Sequence, residues 1–213
     1  MLFRSHVSKY GKDSKSCGLQ SQPCQSIAQA VCRVDAGGQI YLDGRGTEQR
    51  PYDCSSSLPD GHHTGININK NLTMKVYYST PHVFCGEGFH FHKTNGEQQT
   101  LKLELSGIAF GATPLTFEDW HQVKILNCSF HNSLRALNIQ IQNVTTFRLD
   151  IQGFSSFHNN SQCINLLLLD NIGNKRRSIA INISSTHFKQ NGYYGVQCSQ
   201  RGIIKIASSE HKA

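Results

Sequence analysis

The 213-residue chain has no apolar stretch near the ~20 residues that a membrane-spanning helix requires. Its longest uncharged apolar run, residues 164–169, is interrupted by Asn165. With 38% hydrophobic residues and a mean hydropathy of −0.40, no membrane insertion by this chain is expected. No Cys-x-x-Cys occurs, so the eight cysteines are not spaced as zinc ligands. No two aspartates are adjacent, and Glu118-Asp119 is the only acidic pair. Aromatic residues do not interleave with basic ones as a nucleic-acid groove requires, which argues against a nucleic-acid partner. Long stretches with a 3.6-residue apolar period are nearly absent, so helix is expected only locally. No cofactor and no metal site is expected.

What is present is a line of apolar residues written four times. Phe110 follows Leu105 by five residues and Leu103 by seven. Phe130 follows Ile125 and Val123 at the same offsets, and Phe188 follows Ile183 and Ile181. Phe157 follows Ile151 and Leu149 with one extra residue, which reads as a one-residue bulge. The four phenylalanines stand 20, 27 and 31 residues apart, so the strand core is constant and the loops vary. Polar turns such as His131-Asn132-Ser133 follow, and further apolar runs begin at Leu137, Ile164 and Val196. Such repetition implies strands stacked one per repeat in an all-β solenoid.

Ahead of this ladder, residues 1–22 read as a polar leading segment with little structure of its own, followed by one domain over 23–213. Ser26 to Val34 is the one convincing helix, with Ile27, Ala30, Val31 and Val34 on one face and Gly37-Gly38 ending it. It is expected to cap the open end of a sheet whose first strand is Ile40–Leu42. Ile66, Ile68, Leu72, Met74 and Val76 then alternate, with a corner at Lys70-Asn71. Phe89-His90-Phe91-His92 resumes the alternation. The last pass places Ile204 and Ile206 at the two aliphatic positions and His211 where phenylalanine is expected. That unfinished copy leads us to expect that the chain is a piece of a longer protein and continues into, or docks on, further structure.

The cysteines favour a secreted protein. Cys17 and Cys24 bracket a turn and are either a disulfide or two free thiols; Cys54 and Cys85, in loops of adjacent repeats, are the second candidate pair. Cys128 falls where Ile108 and Thr186 stand in other repeats and reads as a packed thiol. Cys163 and Cys198 either pair or pack in neighbouring repeats. Glycosylation sequons start at Asn71, Asn127, Asn143, Asn159 and Asn182. Met1 to His6 carries no apolar segment of the secretory type. Either the true start lies outside this chain, which is the expectation and goes with an extracellular or cell-surface location, or the protein is cytosolic and its cysteines are free. The formal charge of +7 has one tight basic cluster, Lys175-Arg176-Arg177, which reads as a solvated loop rather than a polyanion contact.

Ser16-Cys17-Gly18, then Pro23 through Val31, then Gly37-Gly38-Gln39-Ile40-Tyr41-Leu42-Asp43-Gly44 resemble the opening of right-handed parallel β-helix domains of the pectin-lyase-like superfamily. The resemblance implies a short helix capping the first coil. It also implies either polysaccharide lyase or hydrolase activity or, as in adhesin-like and large extracellular animal proteins, no catalysis. Enzymes of that superfamily cluster their carboxylates, and this chain has no Asp-Asp, Asn-Thr-Asp, Gly-His-Gly or Arg-x-Lys. Glu118 and Asp119 as strand neighbours point to opposite faces. His62-His63 and His90-x-His92 read as solvated histidines lacking a third ligand, and Trp120 as a sugar-stacking platform or a packed loop anchor. The expectation is a non-catalytic extracellular β-helix module that presents loops, such as 43–64 and 170–178, to carbohydrate or another extracellular protein; the alternative is a lyase or hydrolase.

Overall fold

A computed structural model describes residues 2–54, 65–93, 100–169, 177–192, 194–199 and 205–209. The chain begins with β1 (Leu2–Val7) and α1 (Ile27–Arg33). It then travels through strands in groups of three: β2 (Val34–Leu42), β3 (Tyr52–Asp53), β4 (Ile66–Ile68); then β5 (Leu72–Val76), β6 (His82–Phe84), β7 (Phe89–His92). The next groups are β8 (Lys102–Ser106), β9 (Ala109–Gly111), β10 (Leu115–Glu118), and β11 (Gln122–Leu126), β12 (Ser129–His131), β13 (Arg135–Ile141). The last are β14 (Thr146–Gln152), β15 (Ser156–His158), β16 (Gln162–Leu168), then β17 (Ser178–Ser184), β18 (His187–Lys189), β19 (Tyr194–Ser199) and β20 (Lys205–Ser209).

Each group contributes one strand to each of three sheets. Sheet 1 runs β1-β2-β5-β8-β11-β14-β17-β20, sheet 2 runs β3-β6-β9-β12-β15-β18, and sheet 3 runs β4-β7-β10-β13-β16-β19. Every strand pairing within these sheets is parallel. The protein is thus all-β with three parallel sheets and one short helix among the described residues, compatible with a β-helix.

The repeated text becomes rows of core side chains. Leu103, Val123, Leu149 and Ile181 pair in register across sheet 1, as do Leu105, Ile125, Ile151 and Ile183. All eight are buried. Phe110, Phe130 and Phe157 are buried and stack through sheet 2 with centroids 5.1 and 4.8 Å apart; Phe188 extends the stack at 5.0 Å. Phe188 itself is exposed and so is not the buried core residue that the repeat led us to expect, because β18 is the end strand of sheet 2 among the described residues. Leu137, Ile164 and Val196 pair in register in sheet 3.

The corners explain how irregular loops leave this register intact. Between sheets 1 and 2, Gly107, Asn127, Gly153 and Ser185 all take positive φ, between 50 and 74°. Between sheets 2 and 3, Ala112, Asn132, Asn159 and Gln190 take positive φ between 44 and 60°. A single left-handed residue turns the chain sharply, and Gly or Asn accepts that conformation most readily. Beneath the second corner lies an amide ladder. Asn160 accepts from Ser133 N at 2.9 Å and donates to Phe130 O at 2.9 Å; Asn191 repeats this with Asn160 N and Phe157 O, both at 3.0 Å. Thr113 performs the same service for Cys85 N at 2.8 Å and Val83 O at 3.3 Å. Buried corners thus satisfy backbone groups that no strand partner reaches.

Four expectations are corrected. The extra residue before Phe157 is not a bulge inside a strand: β14 stays in register with β11, and the corner before β15 has one more residue, with Phe154 84% exposed. Pushing the insertion into the corner keeps every side chain on its proper face. The leading segment is not unstructured, since Leu2–Val7 is the end strand of sheet 1 and Val7 is fully buried. Accordingly α1 packs against both β1 and β2, and β2 is not the edge. Finally, Ile206 pairs with Ile181 and Ser208 with Ile183, so the last aliphatic positions fall two residues later than expected. A two-residue shift preserves strand facing, which is why the pattern alone did not fix it. His211 lies outside the described residues.

Helix α1 follows the sequence at its start, where Ser26 is the N-cap, accepting from Gln29 N at 3.1 Å, and Ile27, Ala30 and Val31 are buried. It differs at its end, stopping at Arg33 with an extended Val34 as C-cap, so that Gly37-Gly38 lie inside β2 rather than ending the helix. Both candidate disulfides are formed, with Cα–Cα distances of 4.9 Å for Cys17–Cys24 and 5.3 Å for Cys54–Cys85. The second follows directly from register, because Tyr52 pairs with Val83 and Asp53 with Phe84 one step earlier. Cys163 is a buried free thiol, and the backbone register sets Cys198 opposite Leu166, three residues along from it.

Candidate functional site

At the edge where sheet 1 turns toward sheet 2, the first three circuits gather aromatic and basic side chains on the outer surface. His6 projects from β1 and Tyr41 from β2, and Tyr77 follows β5 directly. Tyr41 and Tyr77 stack at 4.7 Å, His6 stacks on them at 5.5 and 5.4 Å, and Tyr78 extends the group at 5.8 Å. The core residues Ile40 and Leu42 flank Tyr41, so strand alternation alone sends Tyr41 outward. Parallel pairing then brings neighbouring strands close enough for the rings to meet.

Three loops hold this edge together. Tyr77 N donates to Leu42 O at 3.1 Å, Asp43 N to Val7 O at 3.1 Å, and Ser79 Oγ to Gly44 O at 2.7 Å. Gly44 is required there: its φ is +75°, and a Cβ would sit 2.6 Å from the Ser79 carbonyl oxygen. Asp43 anchors the base. Its carboxylate accepts from the hydroxyl of buried Tyr52 and from Arg45 N at 3.1 Å. Burial, reinforced by Asp43, raises the Tyr52 phenol above its ordinary value, so it stays a donor. Arg45 lies over the Tyr10 ring at 5.1 Å, and Lys9 over Tyr52 at 5.4 Å while donating to Pro51 O at 2.6 Å. Tyr10 and Tyr78 are more than 80% exposed. Burial, then the charge of Arg4, lowers the pKa of His6, which keeps its imidazole neutral to lower pH.

Flat aromatic side chains with an arginine, held on a rigid base, can bury much area on association at little entropic cost. Sequence reasoning missed this group. The available signal was the pair Tyr77-Tyr78, placed immediately after the alternating run ended at Val76.

The structure disperses the acidic candidates. Asp119 turns the corner after β10 with φ 53°, and its carboxylate accepts from Gln142 N and Asn143 N, both at 2.7 Å, and from Asn143 Nδ2 at 2.6 Å. Its neighbour Glu118 is exposed. Asp150 is buried, bonded to Arg148 Nε and Asn182 Nδ2, both at 2.6 Å. Burial works against ionising Asp150, but those two hydrogen bonds, with Arg148 and Lys124 charges, hold its carboxyl below the ordinary value. Glu104 lies 3.9 Å from Lys124 beside an outer groove of about 320 Å³ on sheet 1, lined also by Asn71, Thr73, Lys102 and Gln122. Asp13 comes near Cys17 and Cys24, yet those sulfurs form a disulfide and Asp13 Oδ1 accepts from Gln25 N and Ser26 N at 2.8 and 3.0 Å. That group is therefore structural.

Other candidates resolve individually. Trp120 is a packed anchor, edge-on to Phe91 at 5.5 Å and buried, rather than a platform. Cys128 is a buried thiol pushed up to about 11 by burial, and Cys163 to about 12, so neither is a thiolate at neutral pH. His90 and His92 share the outer face of β7, with His90 Nε2 3.0 Å from the Glu87 carbonyl. A second histidine group, unexpected from sequence, joins His82 and His131 at 5.9 Å beside Glu48. Burial and then His82 lower the pKa of His131. Of the basic cluster, Arg177 donates to Gln142 O at 3.1 Å and to Leu169 O. Lys175, Arg176, His62 and His63 lie outside the described residues.

Asn127, Asn143 and Asn159 are exposed in corners, whereas Asn71 and Asn182 are half-buried. No helix among the described residues is long and apolar enough to cross a membrane. No protein-family model, no curated protein and no solved structure matches the chain.

Proposed function

We propose that this chain is a non-catalytic, extracellular, right-handed β-helix module of the pectin-lyase-like type, a portion of a larger adhesion, receptor-like or matrix protein. It binds carbohydrate or another extracellular protein through the loops at the sheet 1–sheet 2 edge. The single observation that carries this reading is the outer group of exposed Tyr10, Tyr77, Tyr78 and Arg45 with half-buried Tyr41. Such side chains dominate binding energy at interfaces. Two disulfides support an oxidising, extracellular-like environment. The described carboxylates Asp13, Asp43, Asp119 and Asp150 are engaged in local structural bonds, which favours scaffold over chemistry.

The test is to present the intact chain, and its Tyr77→Ala/Tyr78→Ala variant, to an array of extracellular glycans and to a panel of extracellular protein domains. A ligand whose binding falls at least about tenfold in the variant supports the reading. Release of unsaturated or reducing ends from polyuronates by the intact chain would replace it with the lyase or hydrolase alternative.

A further inference from the structure

We infer that four of the five sequons divide into two kinds: Asn127, Asn143 and Asn159 are N-glycan acceptors compatible with the folded molecule, and Asn182 is not. This rests on the extracellular reading for its biological setting but not for its geometry. Asn127 lies between β11 and β12, Asn159 between β15 and β16, and Asn143 between β13 and β14. These are the three different edges where sheet 1 meets sheet 2, sheet 2 meets sheet 3, and sheet 3 returns to sheet 1. All three side chains are exposed. Glycans there would surround two adjacent circuits on all sides, and they would leave the aromatic edge of the first three circuits bare.

The transfer joins Asn Nδ2 to the anomeric carbon of an oligosaccharide carried on a lipid pyrophosphate. The lipid pyrophosphate leaves and Nδ2 loses one proton, so one N–H remains. That single N–H suffices at each corner. Asn143 Nδ2 makes one bond, to Asp119 Oδ2 at 2.6 Å, and Asn159 Nδ2 makes one, to Asn132 Oδ1 at 3.3 Å. Asn127 uses only its oxygen, accepting from Phe154 N at 3.0 Å, which leaves Nδ2 facing away from that contact. Asn182 differs in kind. It stands mid-strand in β17, with β14 on one side and β20 on the other. Its Nδ2 is 2.6 Å from Asp150 Oδ1, beside the 2.6 Å Arg148–Asp150 pair, and Asp150 is only 4% exposed. The number of bonds to its Nδ2 does not set it apart, but its place does. It is half-buried in the middle of a sheet, and a bulky sugar there must crowd the neighbouring strands and disturb the buried, paired carboxylate of Asp150. Transfer occurs on the emerging chain, so folding then selects which products survive.

The full chain, directed into the secretory pathway of a eukaryotic host by a leader peptide, tests this by peptide mass mapping after deglycosylation in heavy-oxygen water. The expected result is glycan at Asn127, Asn143 and Asn159, with Asn182 occupancy at least about tenfold lower in the secreted protein. Ser129→Ala, Thr145→Ala and Ser161→Ala, which spare the asparagines, should each remove one glycan's mass without loss of secretion. Equal occupancy at Asn182 in folded, secreted protein overturns the inference, and so do empty corner asparagines. Where secretion fails, translation into microsomes reports the corner occupancies directly, and empty corners there overturn it equally. Because the leader imposes the compartment, a glycan-free protein from the native source would count against the extracellular reading and not against this geometry.

Discussion

Two aromatic groups run along this molecule, one inside and one outside, and their rings stack at similar distances. Inside, Phe110, Phe130 and Phe157 stack at about 5 Å with rings within 12° of parallel, and all are buried. Outside, Tyr41 and Tyr77 stack at 4.7 Å, yet Tyr77 is 40% exposed and its neighbour Tyr78 is 84% exposed. Parallel register sets the distance inside, where each phenylalanine faces its pairing partner. Outside, Tyr41 pairs with Lys75 and Tyr77 lies just past β5, so side-chain packing brings those rings together. What differs is whether water has left. The inner group contributes stability through desolvation and packing, and the outer one keeps apolar area in reserve for a partner.

That contrast can be broken by mutation. The largest expected effect is Phe130→Ala, which opens a cavity between Phe110 and Phe157 and should cost about 3–5 kcal/mol in denaturant unfolding. A loss below about 1 kcal/mol would mean that the inner stack is not the core. Next, Cys54→Ser/Cys85→Ser releases a loop closed over a sequence separation of 31 and should cost about 3 kcal/mol, read as a lowered midpoint under oxidising conditions. Asn160→Ala leaves Ser133 N and Phe130 O without partners beneath the second corner and should cost about 1–3 kcal/mol.

The smallest stability effects belong to the outer group. Tyr78→Ala should change stability by no more than about 0.5 kcal/mol while weakening any binding at that edge. His6 sharpens the comparison through pH. Its folded pKa lies below the ordinary 6.5, so the unfolded chain binds the proton first. Stability should therefore fall as pH drops from about 7 through the folded pKa of His6, and His6→Gln should flatten that part of the profile. An unchanged profile in the variant would show that His6 does not titrate with folding.

Much of the inner architecture was legible in the sequence because it is periodic. The offsets of Leu103, Leu105 and Phe110, repeated at Val123, Ile125 and Phe130, could be satisfied only by strands in register. The helix was legible for the same reason, through Ile27, Ala30 and Val31 with Ser26 as cap. The outer edge was not, because its members come from residues 6, 10, 41, 45, 77 and 78 and share no period. Likewise nothing local marks Leu2–Val7 as a strand; its partner Val34–Leu42 makes it one.

The sequence by itself determined that this is a stack of short strands with one helix near its start and polar corners between the strands. Each follows from apolar spacing or from the conformations a residue allows. Only the tertiary structure decided where the insertion before Phe157 is absorbed and that Trp120 is packed inside. It also decided that Asp119 and Asp150 serve neighbouring corners and strands, and that Tyr10, Tyr41, Arg45 and the pair Tyr77-Tyr78, which come from separate segments, share one outer edge. Those outcomes depend on which circuits lie side by side, and that distance is set by pairing across 20 to 35 residues rather than by neighbours in the chain.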